Sequence, residues 1–208
     1  MNTPKNATPA ISGIGSAAGS SAYQNVSLSA LDIRNTLQIP VNYSVQNVSE
    51  GNFSHELELS TGFVSLYSVL YNSTIHINST SPYPQYISST IVITANSEVS
   101  NRTEYGTILT GAGFNNINSQ NTADKNVTIA NYSYLNNTYK IYNVFQDAIF
   151  NYSPSSRASW IPFYQYTAVF SRGDIVGFVS ATGNENINPN FSIELSKVLL
   201  SKTLSTAK

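Results

Sequence analysis

Apolar and polar residues alternate along much of the chain with the period of two that is typical of β-strands. In the segment LQIPVNYSV, alternate residues from Leu37 to Val45 would share one apolar face, and Asn42 and Ser44 would lie on the opposite face. Similar alternation elsewhere, interrupted by turn residues, predicts further strands. The predicted strands cover residues 25–33, 36–46, 54–59, 62–71, 73–79, 86–95, 126–134 and 138–150, followed by a hairpin over 163–181.

Two segments change to a helical pattern. Asn96 or Ser97 can cap a helix over residues 97–110, and residues 189–203 follow Asn188 as a cap, with Pro189 suited to the first turn. The fold class predicted is therefore α+β: a mainly antiparallel β domain with a mid-chain helix and a C-terminal helix covering one face of the sheet. An all-β sandwich, immunoglobulin-like or pilin-like, is the alternative if neither segment is helical.

The first 22 residues differ from the rest of the chain. Residues 1–22 are rich in Gly, Ser and Ala, which predicts a flexible arm or linker, and residues 23–208 are predicted to form a single β-rich domain. Just after the arm, Val26, Leu28 and Ala30 would share one strand face. They could form a strand donated to a neighbouring subunit, or equally the first strand of the same subunit.

Acceptor motifs for N-glycosylation, Asn-x-Ser/Thr, occur thirteen times, and three of them fall within residues 40–54. With 25 Asn, 31 Ser and 18 Thr in the chain, about 6 such motifs are expected by chance. The excess predicts a secreted glycoprotein whose free strand faces carry sugar. The predicted acceptors are Asn6, Asn25, Asn42, Asn47, Asn52, Asn72, Asn78, Asn101, Asn126, Asn131, Asn136, Asn151 and Asn190.

Charged residues make up 10 % of the chain, against about 25 % in an average protein. With a net charge of −1, the sequence offers no basic patch for nucleic acid. Few charges can repel one another in acid, which predicts an acid-stable fold.

The absence of cysteine excludes disulfides and thiolate chemistry. The longest apolar run, residues 63–71, is shorter than the about 20 residues of a membrane-spanning helix. No signal-peptide pattern is visible, so an exported form is expected to be trimmed.

Catalytic, cofactor and metal sites are not predicted. His55 and His76 are the only histidines, and neither has a second ligand at metal spacing. Glu56 and Glu58 alternate on a predicted strand, and a solvated strand edge explains them more simply than a glycosidase pair does. The Gly-rich segment 13–19 lacks the lysine of a phosphate-binding loop.

Two features of the predicted hairpin resemble recognition sites. Residues 172–174 spell the integrin-type tripeptide Arg-Gly-Asp, although Gly and Asp there are explained by a turn. A set of aromatic side chains could form a platform that stacks on sugars, although core packing is the simpler interpretation. These aromatic residues are Trp160, Phe163, Tyr164, Tyr166 and Phe170.

The whole chain resembles cell-surface proteins of heat- and acid-loving archaea in its dense acceptor motifs, its Tyr, Asn, Ser and Thr content and its lack of cysteine. One such family, the thread-type pilins, joins subunits head to tail by lending an N-terminal strand. Another, a group of secreted archaeal α+β domains, is similar to the segment YTAVFSRGDIVGFVSATG and the following FSIELSKVLLSKTL. The resemblance implies a thermostable protein outside the cell.

The expected function is that of a secreted, non-enzymatic structural glycoprotein of an archaeal cell surface, a filament subunit assembled by strand donation. The expected partners are other copies or other surface proteins, with N-linked glycans and without nucleic acid. The alternative is a monomeric extracellular domain that binds a ligand or partner.

Overall fold

The structure, a computed structural model, describes residues 25–75, 80–110, 120–121, 127–152 and 159–205. The predicted arm, residues 1–22, lies outside the described residues. The described helices are α1 (Ala30–Leu37), α2 (His55–Thr61), α3 (Ser97–Thr110) and α4 (Asn190–Ser205). The strands are β1 (Tyr43–Asn52), β2 (Phe63–Ser73), β3 (Tyr86–Thr94), β4 (Gln120–Asn121), β5 (Val127–Tyr134), β6 (Asn137–Tyr152), β7 (Ser159–Arg172) and β8 (Ile175–Gly183).

All eight strands form one antiparallel sheet with the order β1-β2-β3-β8-β7-β6, and β4 and β5 both pair with the outer side of β6. The α+β prediction is confirmed, as are the mid-chain and C-terminal helices. The sandwich alternative is thereby excluded. No helix among the described residues is long and apolar enough to cross a membrane.

Helices cover both faces of the sheet, which corrects the prediction that they share one. The first face packs against α1 and α4, where Leu195 and Leu199 meet Ile91 and Val179 in the main core. The second face packs against α3, where Ile108 joins a smaller cluster with Val92, Val169, Val176 and Phe178. Burying each large aliphatic side chain contributes about 1.5–3 kcal/mol, so the central strands, apolar on both faces, carry most of the core.

The predicted strand over 25–33 is wrong, because a capping box starts a helix inside it. Ser29 Oγ accepts a hydrogen bond from Asp32 N at 3.1 Å, and Asp32 Oδ2 accepts one from Ser29 N at 2.7 Å. These two bonds satisfy donors that a helix N-terminus otherwise leaves unpaired. Val26 and Leu28 are buried, but they lie in the turn and the irregular segment that precede α1 and not on a strand face.

The predicted strand over 54–59 is also wrong. Ser54 caps α2, and Gly62 ends it with a φ of +76°, a conformation that favours glycine. The alternation of Leu57 and Leu59 imitated a strand, yet both side chains are exposed. The predicted strand 36–46 begins late: residues up to Leu37 continue α1, and β1 begins at Tyr43.

The remaining boundaries are close to those predicted, apart from the strand over 73–79. Ser73 ends β2, residues 74–75 form a bend, and residues 76–79 lie outside the described part of the chain. Asn96 caps α3 as predicted, since its Oδ1 accepts a hydrogen bond from Val99 N at 3.0 Å. Asn188 Oδ1 likewise accepts from Asn190 N at 3.0 Å at the start of α4.

Candidate functional site

The segment that leads into α1 is held to the rest of the domain through polar contacts made by two distant residues. The Tyr71 hydroxyl, on β2, donates to the Leu28 carbonyl oxygen at 2.5 Å. Lys202 Nζ, near the end of α4, donates to the Ser27 carbonyl oxygen at 2.9 Å and forms an ion pair with Asp32. These contacts fix the N-terminal segment against α4 and β2.

The same contacts change the pKa of the Asp32 carboxyl. Burial alone would raise the pKa of Asp32, but hydrogen bonds from Lys202 and Ser29 and the charge of Lys202 outweigh it, so the pKa is lowered. The ionised carboxylate is thus favoured in the folded chain. No sequence pattern links Asp32 to Lys202, which are 170 residues apart.

The three residues predicted as a donor strand belong to this chain's own N-terminal segment. Val26 and Leu28 are buried in the main core, and Ala30 packs against it as the first residue of α1. A donated segment would therefore carry a turn and the start of a helix, and it would leave a cleft behind. The donor role of Val26, Leu28 and Ala30 stays a prediction.

The described acceptor asparagines lie at the surface, as an acceptor for sugar requires. Asn72 is half-buried, and its Oδ1 accepts a hydrogen bond from Gln85 Nε2 at 2.7 Å. The side chains of Asn6, Asn78, Asn126 and Asn151 lie outside the described residues. The exposed acceptors are Asn25, Asn42, Asn47, Asn52, Asn101, Asn131, Asn136 and Asn190.

A buried band of hydroxyl groups crosses the second face of the sheet. Ser68 Oγ lies 2.8 Å from Thr90 Oγ1, and Thr167 Oγ1 lies 2.9 Å from Ser180 Oγ. Gln165 Nε2 donates to Thr167 Oγ1 at 2.8 Å. The two hydroxyl pairs join residues on adjacent strands, whereas Gln165 and Thr167 both lie on β7, so these hydroxyls are satisfied across and along the sheet. None of these contacts brings a base to a hydroxyl, so the band fits a structural role.

The predicted aromatic platform is only partly assembled. Phe170 is fully buried in the core, where its ring occupies the space that a Cβ on Gly177 would need. Tyr164 and Tyr166 are half-buried on the first face and gather around Phe145, with ring centroids 6.3 Å and 4.9 Å from it. The side chains of the other two predicted residues, Trp160 and Phe163, lie outside the described residues. Three rings therefore remain as a candidate stacking surface.

The Arg-Gly-Asp tripeptide forms the turn between β7 and β8, as its turn residues indicate. Gly173 has a φ of +57°, and its carbonyl oxygen accepts a hydrogen bond from Ser100 Oγ at 2.6 Å. Arg172 Nη1 donates to the Thr203 carbonyl oxygen at 2.6 Å. Because the Arg172 guanidinium is engaged by α4, the turn has an internal structural role.

The acidic residues predicted to share a strand face do not do so. Glu56 and Glu58 lie in α2, where residues two positions apart point in different directions. His55 is largely exposed, and its Nδ1 lies 4.0 Å from Glu58 Oε2. His76 and the Gly-rich segment 13–19 lie outside the described residues. Among the residues that are described, no three His, Asp or Glu side chains are close enough to hold a metal ion.

Glu104 on α3 is a carboxyl that the sequence did not single out. Its Oε1 accepts a hydrogen bond from Ser171 N at 2.8 Å, which joins α3 to the end of β7. Burial raises the pKa of Glu104 although the bond from Ser171 opposes that shift. The only signal in the sequence was its place in the predicted helix, which does not reveal the contact.

The sequence matches no protein-family model and no curated protein. Among solved structures, the extracellular domain of PknH from Mycobacterium tuberculosis has the same fold, with a TM-score of 0.51 and 8 % sequence identity. The match covers 87 % of this chain and 94 % of that domain. At this identity the likeness shows a shared fold that, in the other protein, forms an extracellular domain.

Proposed function

We propose that this chain is a secreted, N-glycosylated, non-enzymatic structural domain of an archaeal cell surface. The observation that carries the proposal is the exposure of eight acceptor asparagines in a chain that has few charged residues. Sugars give such a surface the hydration that charged side chains otherwise supply. The shared fold with an extracellular domain supports the same location.

Glycopeptide mapping of protein purified from an archaeal host tests this proposal. We expect sugar on most of the exposed acceptors, read as mass additions on the corresponding peptides. Enzymatic removal of the sugars should lower the concentration at which the protein remains dispersed. Bare asparagines throughout would overturn the proposal.

We further propose that the protein assembles into a filament when each copy donates its N-terminal segment to the next copy, head to tail. Exchange preserves every contact of the segment, because Tyr71 and Lys202 of one copy can bind Leu28 and Asp32 of another as they do within one chain. This modifies strand donation: the exchanged element is a turn plus α1. In each such contact, the donating copy supplies Leu28 or Asp32 and the receiving copy supplies Tyr71 or Lys202.

The ion pair between Lys202 and Asp32 supplies the experiment. A carbodiimide joins an amine and a carboxylate in direct contact, so it can link these two residues without any substitution. Isotopically labelled and unlabelled protein are mixed, allowed to assemble at low pH and treated with the reagent. Linked peptides that combine one labelled and one unlabelled half are expected if copies exchange segments.

The matched control is Asp32→Asn, which removes the carboxylate and should abolish this particular link. Links formed only within one isotope, together with uniform single particles in negative-stain electron microscopy, would refute exchange. The glycoprotein proposal would survive that result, because it rests on the acceptors alone.

A second candidate function, a monomeric extracellular binding domain, is favoured by the half-buried rings of Phe145, Tyr164 and Tyr166. Aromatic faces of this kind stack on sugars and on other rings. Titration of the protein with a soluble oligosaccharide, followed through tyrosine fluorescence, tests it. Tyr164→Ala should weaken binding, whereas Tyr105→Ala, an exposed tyrosine on α3, should leave it unchanged.

A further inference from the structure

The sheet, as far as the structure describes it, has two open edges. Within the described residues, β1 pairs only with β2 and β5 pairs only with β6. No other described segment pairs with the outer side of either strand, so backbone amide and carbonyl groups there could bond to another extended chain. Proteins usually protect such edges from pairing with a second copy by placing lysine, other charges or proline on them.

These edges lack the usual protection. Strand β1 contains a single charged residue, Glu50, and β5 contains none. Both strands also expose apolar side chains that favour strand pairing: Val48 on β1 is 48 % exposed and Ile129 on β5 is 59 % exposed. Edge strands of this composition are predicted to associate with one another.

Acceptor asparagines are placed along both edges with the same spacing. They occur every five residues along the sequence in and beside each edge strand, and Asn126 lies outside the described residues. The central strands β3, β7 and β8 contain no acceptor motif, and the strands β2 and β6 between them and the edges contain one each, at Asn72 and Asn151. The edge acceptors are Asn42, Asn47 and Asn52 at β1, and Asn126, Asn131 and Asn136 at β5.

The acceptors Asn47 and Asn52 on β1 point to opposite faces of the sheet. A bulge between Val45 and Asn47 shifts the register of β1 against β2. With this shift, Asn47 lies opposite Leu70 on the second face of the sheet, and Asn52 lies opposite Ser65 on the first face. Sugars on the two would extend from both sides of the same edge, so a chain approaching from either side would meet one.

We propose that N-glycans on the edge acceptors shield the two open edges of the sheet and prevent uncontrolled edge-to-edge pairing between copies. A glycan is bulky and hydrated, so it excludes a second strand by volume where lysine would do so by charge. The shielding leaves exchange of the N-terminal segment possible, because that segment binds at α4 and β2. This inference rests on the proposed glycosylation.

The test compares two sets of variants in the full chain produced in a glycosylating archaeal host. The edge set is Asn42→Gln, Asn47→Gln, Asn52→Gln, Asn126→Gln, Asn131→Gln and Thr138→Ala. Thr138→Ala removes the motif at Asn136, whose φ of +65° suits asparagine better than glutamine. The control set is Asn25→Gln, Asn101→Gln and Asn190→Gln, three exposed acceptors that lie outside the edge strands in the sequence.

Light scattering after size-exclusion chromatography and thioflavin fluorescence are the readouts. We expect the edge set to lose the wild-type peak and to form larger, thioflavin-positive species, while the control set keeps the wild-type profile. Adding Val48→Lys and Ile129→Lys to the edge set should restore the wild-type profile, because charge then replaces sugar. This rescue also shows that the edge set can fold.

Glycopeptide mapping of the wild type separates the two ways of failing. If the edge acceptors carry no sugar, the proposed glycosylation fails at these sites. If they carry sugar and the edge set keeps the wild-type profile, or if the control set associates equally, edge shielding alone is overturned.

Discussion

The centre and the edges of the sheet are built from different chemistry. Strands β3 and β8 are buried on both faces, with Ile91, Val92, Val176 and Val179 all shielded from solvent. Strand β1 is largely exposed on both faces after Tyr43. Stability therefore resides in the centre, where apolar side chains pack between helices on either side, and the edges are left for contact with the surroundings.

The contrast bears on the proposed glycosylation, because the chain has few charged residues to hydrate its surface. A charged surface is one route to hydration, and hydroxyls, amides and their sugars are another. The central strands need no acceptor motif because they are covered. The edge strands carry acceptor motifs, and among the described residues both of their faces are largely exposed and one side is unpaired.

The largest effect is expected at the centre, with Phe170→Ala. Phe170 is fully buried on β7, and loss of its ring should cost about 3–5 kcal/mol of unfolding free energy. Gly177→Ala on the neighbouring strand should cost less, about 1–3 kcal/mol, because its Cβ would collide with the Phe170 ring. Urea unfolding followed by circular dichroism measures both. If Phe170→Ala cost less than 1 kcal/mol, the centre would not hold the stability assigned to it.

The second prediction concerns the anchor of the N-terminal segment, between centre and edge. Asp32→Asn should cost about 1–2 kcal/mol at neutral pH, since it removes a partly buried ion pair that solvent screens in part. Because the folded-state pKa of Asp32 is lowered, the contribution is present above its ordinary value and is lost as pH falls through the lowered value. The unfolding curves of the wild type and Asp32→Asn should therefore differ at pH 7 and coincide at pH 2.

An equal loss at both pH values would show that Asp32 acts through packing or helix capping. Ser29→Ala separates helix capping from the ion pair, because it removes the cap hydroxyl and leaves the ion pair of Asp32 with Lys202 in place. We expect its effect to depend less on pH than that of Asp32→Asn.

The sequence predicted the central strands and the two longer helices because their patterns are long and agree with their burial. In β8 and α4 the apolar positions, the turn residues and the caps all indicate the same element. At 25–33 and 54–59 the short alternating patterns were misleading. Capping serines at Ser29 and Ser54 compete locally with strand formation, and the motif Ser-x-x-Asp at 29–32 was the signal that could have corrected the first.

The edge pattern was only half visible in the sequence. Five-residue spacing of the acceptors can be read directly, but it has no meaning until the strand order shows that β1 and β5 lie at opposite ends of the sheet. Strand order depends on pairings between residues far apart, such as Ile87 with Ala181. Local patterns do not encode such pairings, and the same holds for the contact of Asp32 with Lys202.

The third prediction concerns Glu104 on α3, the helix that packs on the second face of the sheet. Burial raises the folded-state pKa of Glu104. Its contribution to the free energy of unfolding is therefore fully present below the ordinary pKa of a glutamate and is lost as pH rises through the raised pKa. Glu104→Gln mimics the protonated form, so it should stabilise the protein at neutral pH by up to about 1 kcal/mol, given partial screening. In acid it should match the wild type. Thermal unfolding at pH 7 and pH 3 measures the difference, and a destabilised variant at pH 7 would contradict the prediction.

The smallest effects are expected at the edges, with Val48→Ala on β1 and Ile129→Ala on β5. Both side chains are largely exposed, so each change should alter the unfolding free energy by no more than about 0.5 kcal/mol. The buried counterpart Val179→Ala on β8 serves as the matched control and should cost several times more. If the edge variants destabilised the fold as much as the control, β1 and β5 would be structural strands of the core. Their acceptor motifs would then have to be explained without reference to an open edge.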